Sequence, residues 1–285
     1  MGQSWPAPLS QNEIECSSVP LLGYKLAHPV DRNLPPHSHS RGQLFSLRSG
    51  LVIVKVDSGT WVLPPQGCAW IPPLQEHAVR SSGPVVGWCI FVSPEFCSGL
   101  PDKPRVLAVS DLLRALIGRF SEWGPGQSLK PSDRRLVQVF RDEIMAAAVQ
   151  RLHLPAPRDE RLMRILDALS KDPGDTRTIA EWARWSAMSK RTLTRSFVKE
   201  TGMTFAQWRQ QSRLFAALER LSEGESVTDV AVAVGYSSVS AFIDVFRQSF
   251  GITPGAYLSN QSWRHASPYL TPDRLGALPD IRRTT

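Results

Sequence analysis

Cysteine is scarce: 285 residues contain four, Cys16, Cys68, Cys89 and Cys97. None forms a CxxC pair and their spacings fit no zinc template. All four are expected to be reduced, buried and apolar. No apolar run approaches the ~18 residues that span a bilayer. The opening MGQSWPAPLS has neither a basic n-region nor an apolar h-region, so the expected location is the cytoplasm, with no membrane partner. Neither GxxxxGK(S/T) nor GxGxxG occurs, which leaves ATP and NAD without support. Acids are scarce over one stretch. The chain carries a net +7, but from Arg177 to Arg213 eight basic residues face only Glu181 and Glu200, a net +6. From Leu214 to Asn260 two Arg face five acids, a net −3. Attraction to phosphate should concentrate in the first of these stretches.

What is present is organised around residues 178–208, TIAEWARWSAMSKRTLTRSFVKETGMTFAQW. Ile179, Trp182 and Ala183 recur at helical spacing. Ser189 is an N-cap for a second helix in which Leu193 and Phe197 share one face, and Gly202 closes it. Arg191, Thr194 and Arg195 share the opposite face, with Thr192 beside them and Lys190 and Lys199 placed for phosphates. Such a helix fits the major groove, where Arg gives two hydrogen bonds to guanine. A solvated basic face is the alternative for one such motif. The pattern repeats, however, over residues 227–257: Leu193, Phe197, Gly202, Thr204 and Trp208 match Phe242, Phe246, Gly251, Thr253 and Tyr257 at an offset of 49. Repetition of a whole supersecondary unit is far more specific than one motif. In the second unit Ser238, Val239, Ser240, Ile243 and Asp244 stand at the reading positions, poor in positive charge.

Two such units, the second reading GYSSVSAF…FRQSFGITPGAY, resemble the AraC/XylS family of transcription regulators over residues 157–260. The resemblance implies a seven-helix DNA-binding domain, with Arg209–Glu223 as the helix joining its units and Leu214, Leu218 and Leu221 as that helix's apolar stripe.

Upstream, residues 21–109 alternate short β-branched or aromatic runs with Pro, Gly and Ser clusters, the signature of a small barrel or sandwich. His37 and His39 on one strand face one way. With Gln43, Pro65–Gly67 and His77 they resemble the two motifs of the cupin fold, a jelly roll. The match departs at Gln43, where metal-binding cupins carry Glu. This resemblance implies a sensor domain.

The expected fold is two-domain α+β. A loose arm (1–20) precedes a cupin-like β-barrel (21–109). Linker or dimerisation helices (110–153) carry the stripes Leu112, Leu113, Leu116, Ile117, Phe120 and Leu136, Val139, Phe140, Ile144, Ala147. These stripes pack on the barrel or on a second subunit. The break at Leu154–Pro157 opens an all-α double helix–turn–helix domain (154–260), and a disordered tail follows (261–285).

The function expected is an effector-responsive, sequence-specific regulator. Its partners are double-stranded DNA, a small-molecule effector, RNA polymerase and a second copy of the chain. The effector site comprises His37, His39, Gln43 and His77, with walls from Phe45, Trp61 and Trp70. No catalytic residue and no cofactor are expected. The alternative is a cupin-type metalloenzyme or metal-sensing domain fused to a DNA-binding module, with His37, His39 and His77 as ligands.

Overall fold

Among the described residues, 9–28, 33–65 and 67–261 of the computed structural model, the N-terminal arm is ordered rather than loose. Ser10 caps helix α1 (Gln11–Cys16) by accepting from the Glu13 amide, and the Glu13 carboxylate accepts from the Ser10 backbone in return. Ile14 and Val19 are buried. The buried Arg41 guanidinium holds this segment, donating to the carbonyls of Ile14, Ser17 and Val19. A six-residue, largely polar helix is too short for its periodicity to be read, which is why composition alone gives a loose arm. Residues 1–8 lie outside the described part.

The sensor barrel is antiparallel throughout. Its strands are β1 (Leu21–His28), β2 (Asn33–His37), β3 (Gly42–Val56), β4 (Gly59–Leu63), β5 (Gly67–Ile71), β6 (His77–Val92) and, after the one-turn helix α2 (Pro94–Cys97), β7 (Arg105–Ala108). β3 and β6 are long and central: β6 pairs with β1, β2 and β3, and β3 with β4, β5 and β6. Their mutual register shifts on either side of Ser49, next to Gly50 at φ +83°. A Cβ at Gly50 would meet the Pro84 carbonyl at 2.4 Å, so only glycine fits this bend. The bend lets each long strand serve both layers of the jelly roll.

Ser110 caps α3 (Asp111–Phe120), and α4 (Pro131–Ala146) follows. Leu113, Leu116, Ile117 and Phe120 pack with Val137, Phe140 and Ile144 and with Leu44, Trp70 and Ile90 of the barrel. The buried faces thus dock within the chain. Two expected stripe members turn outward: Leu112 is 49% and Val139 37% exposed. In α4 the inward row is Asp133, Val137, Phe140 and Ile144, the i, i+4, i+7, i+11 set, which excludes Val139.

The end of the stretch expected as linker helices (110–153) and the start of the expected break at Leu154–Pro157 form strands of the barrel instead. β8 (Val149–Gln150) pairs with β7, and β9 (His153–Pro155) pairs with β4. Strands of two or three residues leave no alternation to detect, and Pro155 sits where the sheet ends.

Seven helices complete the described chain: α5 (Glu160–Lys171), α6 (Ile179–Trp185), α7 (Lys190–Thr201), α8 (Phe205–Glu223), α9 (Val227–Ala233), α10 (Val239–Phe250) and α11 (Pro254–Gln261). Thr178, Ser189, Thr204, Ser226 and Ser238 cap α6 to α10, each accepting from a backbone amide three residues on. Gly202, Gly224 and Gly251 end α7, α8 and α10 in the left-handed region. Leu162, Ile165, Trp182, Leu193, Phe197, Phe205 and Trp208 form the first unit's core. Leu214, Leu218 and Leu221 of α8 pack with Val230, Phe242, Phe246 and Tyr257 in the second. Of the expected tail (261–285), Gln261 ends α11, and residues from 262 on lie outside the described residues.

Candidate functional site

α7 is built to present one face. Leu193 and Phe197 are fully buried, which fixes the helix's rotation and turns Lys190, Arg191, Thr194, Arg195 and Lys199 to solvent. Arg191 and Arg195 make no ion pair among the described residues. Thr192 is half-buried and its hydroxyl lies 2.8 Å from that of the N-cap Ser189. The Thr194 hydroxyl donates to the Lys190 carbonyl at 2.9 Å. Not all the local positive charge is available to DNA. Arg177 pairs with Asp175 at 2.7 Å and stacks over Trp182, and Arg209 and Arg213 donate to backbone carbonyls.

α10 presents a different face. Ser240 and Asp244 are exposed, and Val239 and Ile243 are half-buried. Ser238 spends its hydroxyl on the cap, accepting from the Ala241 amide. The Asp244 carboxylate accepts from Arg247 at 3.3 Å, one turn along the helix. The second reading face is thus short of free cations.

In the barrel, His37, His39 and His77 converge: one ring nitrogen from each lies within 4.8 Å of the others. The elements explain the meeting. β2 and β6 pair His37 with His77; His39 lies two residues past the end of β2, in the connection to β3, and not on one strand with His37 as expected. His39 Nδ1 is 2.6 Å from the Arg41 carbonyl, His77 Nδ1 2.8 Å from that of Gln75, and His37 Nδ1 2.9 Å from that of Pro35. A carbonyl only accepts, so in each ring Nδ1–H donates, and in a neutral ring so oriented Nε2 keeps its lone pair. Burial pushes the imidazoles of His39 and His77 below the usual range, His77 to about 4, so both rings are neutral near pH 7.

The Gln43 amide sits 3.1 Å from His39 Nε2 and 3.0 Å from His77 Nε2, with its other end 3.3 Å from Cys89 Sγ. Two imidazole lone pairs call for two donated hydrogens. As placed, the amide turns Oε1 to both Nε2 atoms and its NH2 to Cys89 Sγ; exchanging the two ends lets the NH2 donate one hydrogen to each imidazole and the oxygen accept from the Cys89 thiol. No carboxylate belongs to the group, and Glu76 is exposed.

The expected aromatic walls divide. Phe45 is on the Gln43 side of β3, opposite Cys89. Trp70 is opposite Leu44, hence on the other face of the sheet, where it is fully buried and donates to the Pro101 carbonyl. Trp61 faces Val54 across β3 and stacks on His153 at 3.8 Å. Trp70 is therefore not part of the cluster; the strand period of two assigns it to the other core. Phe91, whose ring centroid is 5.1 Å from that of His39, takes the place expected for a tryptophan. Cys89 and Phe91 alternate in VVGWCIFV, a visible signal that they share a face, but sequence does not say which strand they oppose.

Two family models match the chain: an AraC-like ligand binding domain over residues 24–171 and a helix–turn–helix domain over residues 182–260. The chain is 36% identical over 225 residues to the HTH-type transcriptional regulator NimR of Escherichia coli (strain K12), a match covering 79% of this chain and 82% of that one. It is 35% identical over 108 residues to the HTH-type transcriptional regulator RipA of Corynebacterium glutamicum, covering 38% of this chain and 32% of the relative. Among solved structures, ToxT from Vibrio cholerae O395 is similar at 14% identity and a TM-score of 0.38, covering 85% of this chain and 97% of that one. No helix among the described residues is long and apolar enough to cross a membrane.

Proposed function

Because the chain belongs to the AraC family of transcription regulators, DNA-binding proteins with an N-terminal ligand-binding domain, we propose that it reads a bipartite operator chiefly through α7. In this reading α10 contacts a weaker half about one helical turn (~34 Å) away. The observation that carries it is the contrast between free, exposed Arg191 and Arg195 on α7 and the Asp244–Arg247 pair on α10. The protein works in the cytoplasm, without catalytic activity, and its partner at the promoter is RNA polymerase. It acts as a homodimer through α3 and α4, which leave Leu112, Val139 and Met145 at 49, 37 and 54% exposure. Footprinting on an operator selected from random duplex DNA tests the main reading. Deep protection and mutational sensitivity are expected in one half and shallow in the other; equal halves overturn it.

The effector, in our reading, is a small organic molecule held at His37, His39, Gln43 and His77. The neutral amide, the neutral imidazoles and the apolar neighbours Phe45 and Phe91 support that choice, since such sites combine apolar walls with a few placed polar groups. His39→Ala should abolish the response of a promoter fusion and leave effector-free operator affinity unchanged. One observation favours a second reading: three converging imidazoles, each oriented by a carbonyl behind its ring, suit a borderline divalent metal such as zinc or nickel. Elemental analysis of untagged protein separates the two. Stoichiometric metal that EDTA strips with loss of regulation overturns the organic effector.

A further inference from the structure

The two helix–turn–helix units are each packed on a different end of α8. Phe205 and Trp208 enter the first unit's core, and Leu214, Leu218 and Leu221 the second's. Between them, Ile179 of the first unit faces Tyr236 and Val245 of the second across an open cleft of about 450 Å³. Apolar packing therefore does not join the units there. Polar and backbone contacts do.

Arg213, in the middle of α8, reaches both units at once. Its Nε donates to the Pro173 carbonyl at 3.0 Å and its Nη2 to that of Asp175 at 3.0 Å, both in the loop that opens the first unit. Its Nη1 donates to the Gly235 carbonyl at 3.3 Å, in the turn of the second. One helical turn earlier, Arg209 donates to the carbonyls of Asp175 and Arg177, stiffening the same loop. The loop and the turn also touch directly. A Cβ at Gly235, where φ is +80°, would lie 3.0 Å from Gly174 Cα and 2.7 Å from Arg213 Nη2. A Cβ at Gly174 would lie 2.8 Å from the Ala233 carbonyl. Both glycines are therefore required by the close approach of the two units.

We propose that Arg213, with Gly174 and Gly235, locks the separation and phase of α7 and α10 and so determines which spacing of the two half-sites the protein accepts. Arg213 is a positioning residue; it touches no base. Only arginine suits the task, because its planar fork offers donors in several directions while lysine presents a single point charge. The proposal rests on the bipartite reading above.

The test measures binding of full-length protein to a selected operator, to versions with one base pair added or removed between the halves, and to a duplex keeping only the strong half. One base pair moves the second half by about a tenth of a turn, so wild type is expected to lose about tenfold in affinity at either altered spacing. Arg213→Gln should bind the strong half within about twofold of wild type yet separate the spacings by no more than about twofold. Arg213→Lys should fall between. If the Gln variant does not fold by circular dichroism, Arg213→Lys carries the same comparison, with Gly235→Ala as an independent disturbance of the joint. Variants as strict about spacing as wild type overturn the lock alone. So does a loss that is equal on every duplex, the strong half included. A wild type indifferent both to spacing and to removal of the weak half overturns the bipartite reading, and the lock with it.

Discussion

His77 is 1% exposed, and burial holds its imidazole at about 4 against 6.5 for a free side chain. Below pH 6.5 the unfolded chain takes up a proton that the native chain refuses, so stability falls as pH drops through the window from 6.5 to 4. By pH 5 the loss from this one residue is about 2 kcal/mol. His39 is shifted the same way for the same reason and adds to the slope. Urea titrations at pH 7 and pH 5 should show the drop, and His77→Gln should flatten it; an unchanged slope in that variant would place the acid sensitivity elsewhere. The cysteines divide at the same scale. Cys68 and Cys89 are buried with thiols pushed up, Cys89 to about 12, whereas Cys16 is exposed on α1 and departs from the buried state expected of it. Native protein should therefore alkylate at Cys16 within minutes and at Cys68 and Cys89 only on unfolding, a difference that peptide mass mapping resolves. That His37, His39, Gln43 and His77 belong together was legible in the chain. That Trp70 does not was illegible, because both sides of a strand buried on two faces look alike in sequence.

α7 and α10 are the most legible elements because every feature that defines them is local. Ser189 and Ser238 start them, Leu193, Phe197, Phe242 and Phe246 set their rotation, and Gly202 and Gly251 stop them. Gly202 and Gly251 have φ of 71° and 75° and open space where a Cβ would point. Substituting either with Ala should cost about 1 kcal/mol through backbone strain alone; a much larger loss in thermal melts would mean a contact that the geometry does not contain. On DNA the two kinds of basic residue should part company. Arg191→Ala or Arg195→Ala should lose about 1–3 kcal/mol at particular base pairs. Lys190→Ala should weaken all sequences alike and lower the slope of log K against log salt by about one. Elements defined by distant partners were illegible for the opposite reason. β8 and β9 exist because β7 and β4 offer them edges, and α1 stays ordered because Arg41, 25 residues beyond its last residue, claims carbonyls in and after it.

The two domains share a core. One continuous cluster runs from Val52, Ile53 and Val62 of the barrel into Phe215, Leu218 and Phe246 of the DNA-binding domain. α8 makes this possible by carrying two stripes. Leu214, Leu218 and Leu221 face the second unit, and Trp208, Ser212, Phe215, Glu219 and Ser222, at spacings of three and four, face the barrel. On that second stripe Arg80 pairs with Glu219 at 2.7 Å, the hydroxyls of Ser82 and Ser222 meet at 3.0 Å, and the Trp208 indole donates to the Pro155 carbonyl at 2.9 Å. β6 carries His77 on its inner face and Arg80 and Ser82 on its outer one, so the sensor cluster and the α8 contact lie on one strand. The ion pair itself is about a third exposed, and Arg80→Ala should cost less than about 1 kcal/mol. Separating the domains is another matter. A fragment beginning at Pro157 loses the barrel partners of Phe215 and the Pro155 carbonyl to which Trp208 donates, so it exposes apolar surface that the intact chain covers. Its thermal midpoint should lie several degrees below that of the full chain, by the usual scale of about 4–8 °C per kcal/mol for a domain of this size. Substituting Phe215 with Gln should narrow that gap by lowering the full chain more than the fragment, since only the full chain loses a buried contact. A fragment as stable as the intact protein, with or without Phe215, would show that the barrel merely rests on α8 and that the DNA-binding domain is self-contained, as the sequence alone leads one to expect.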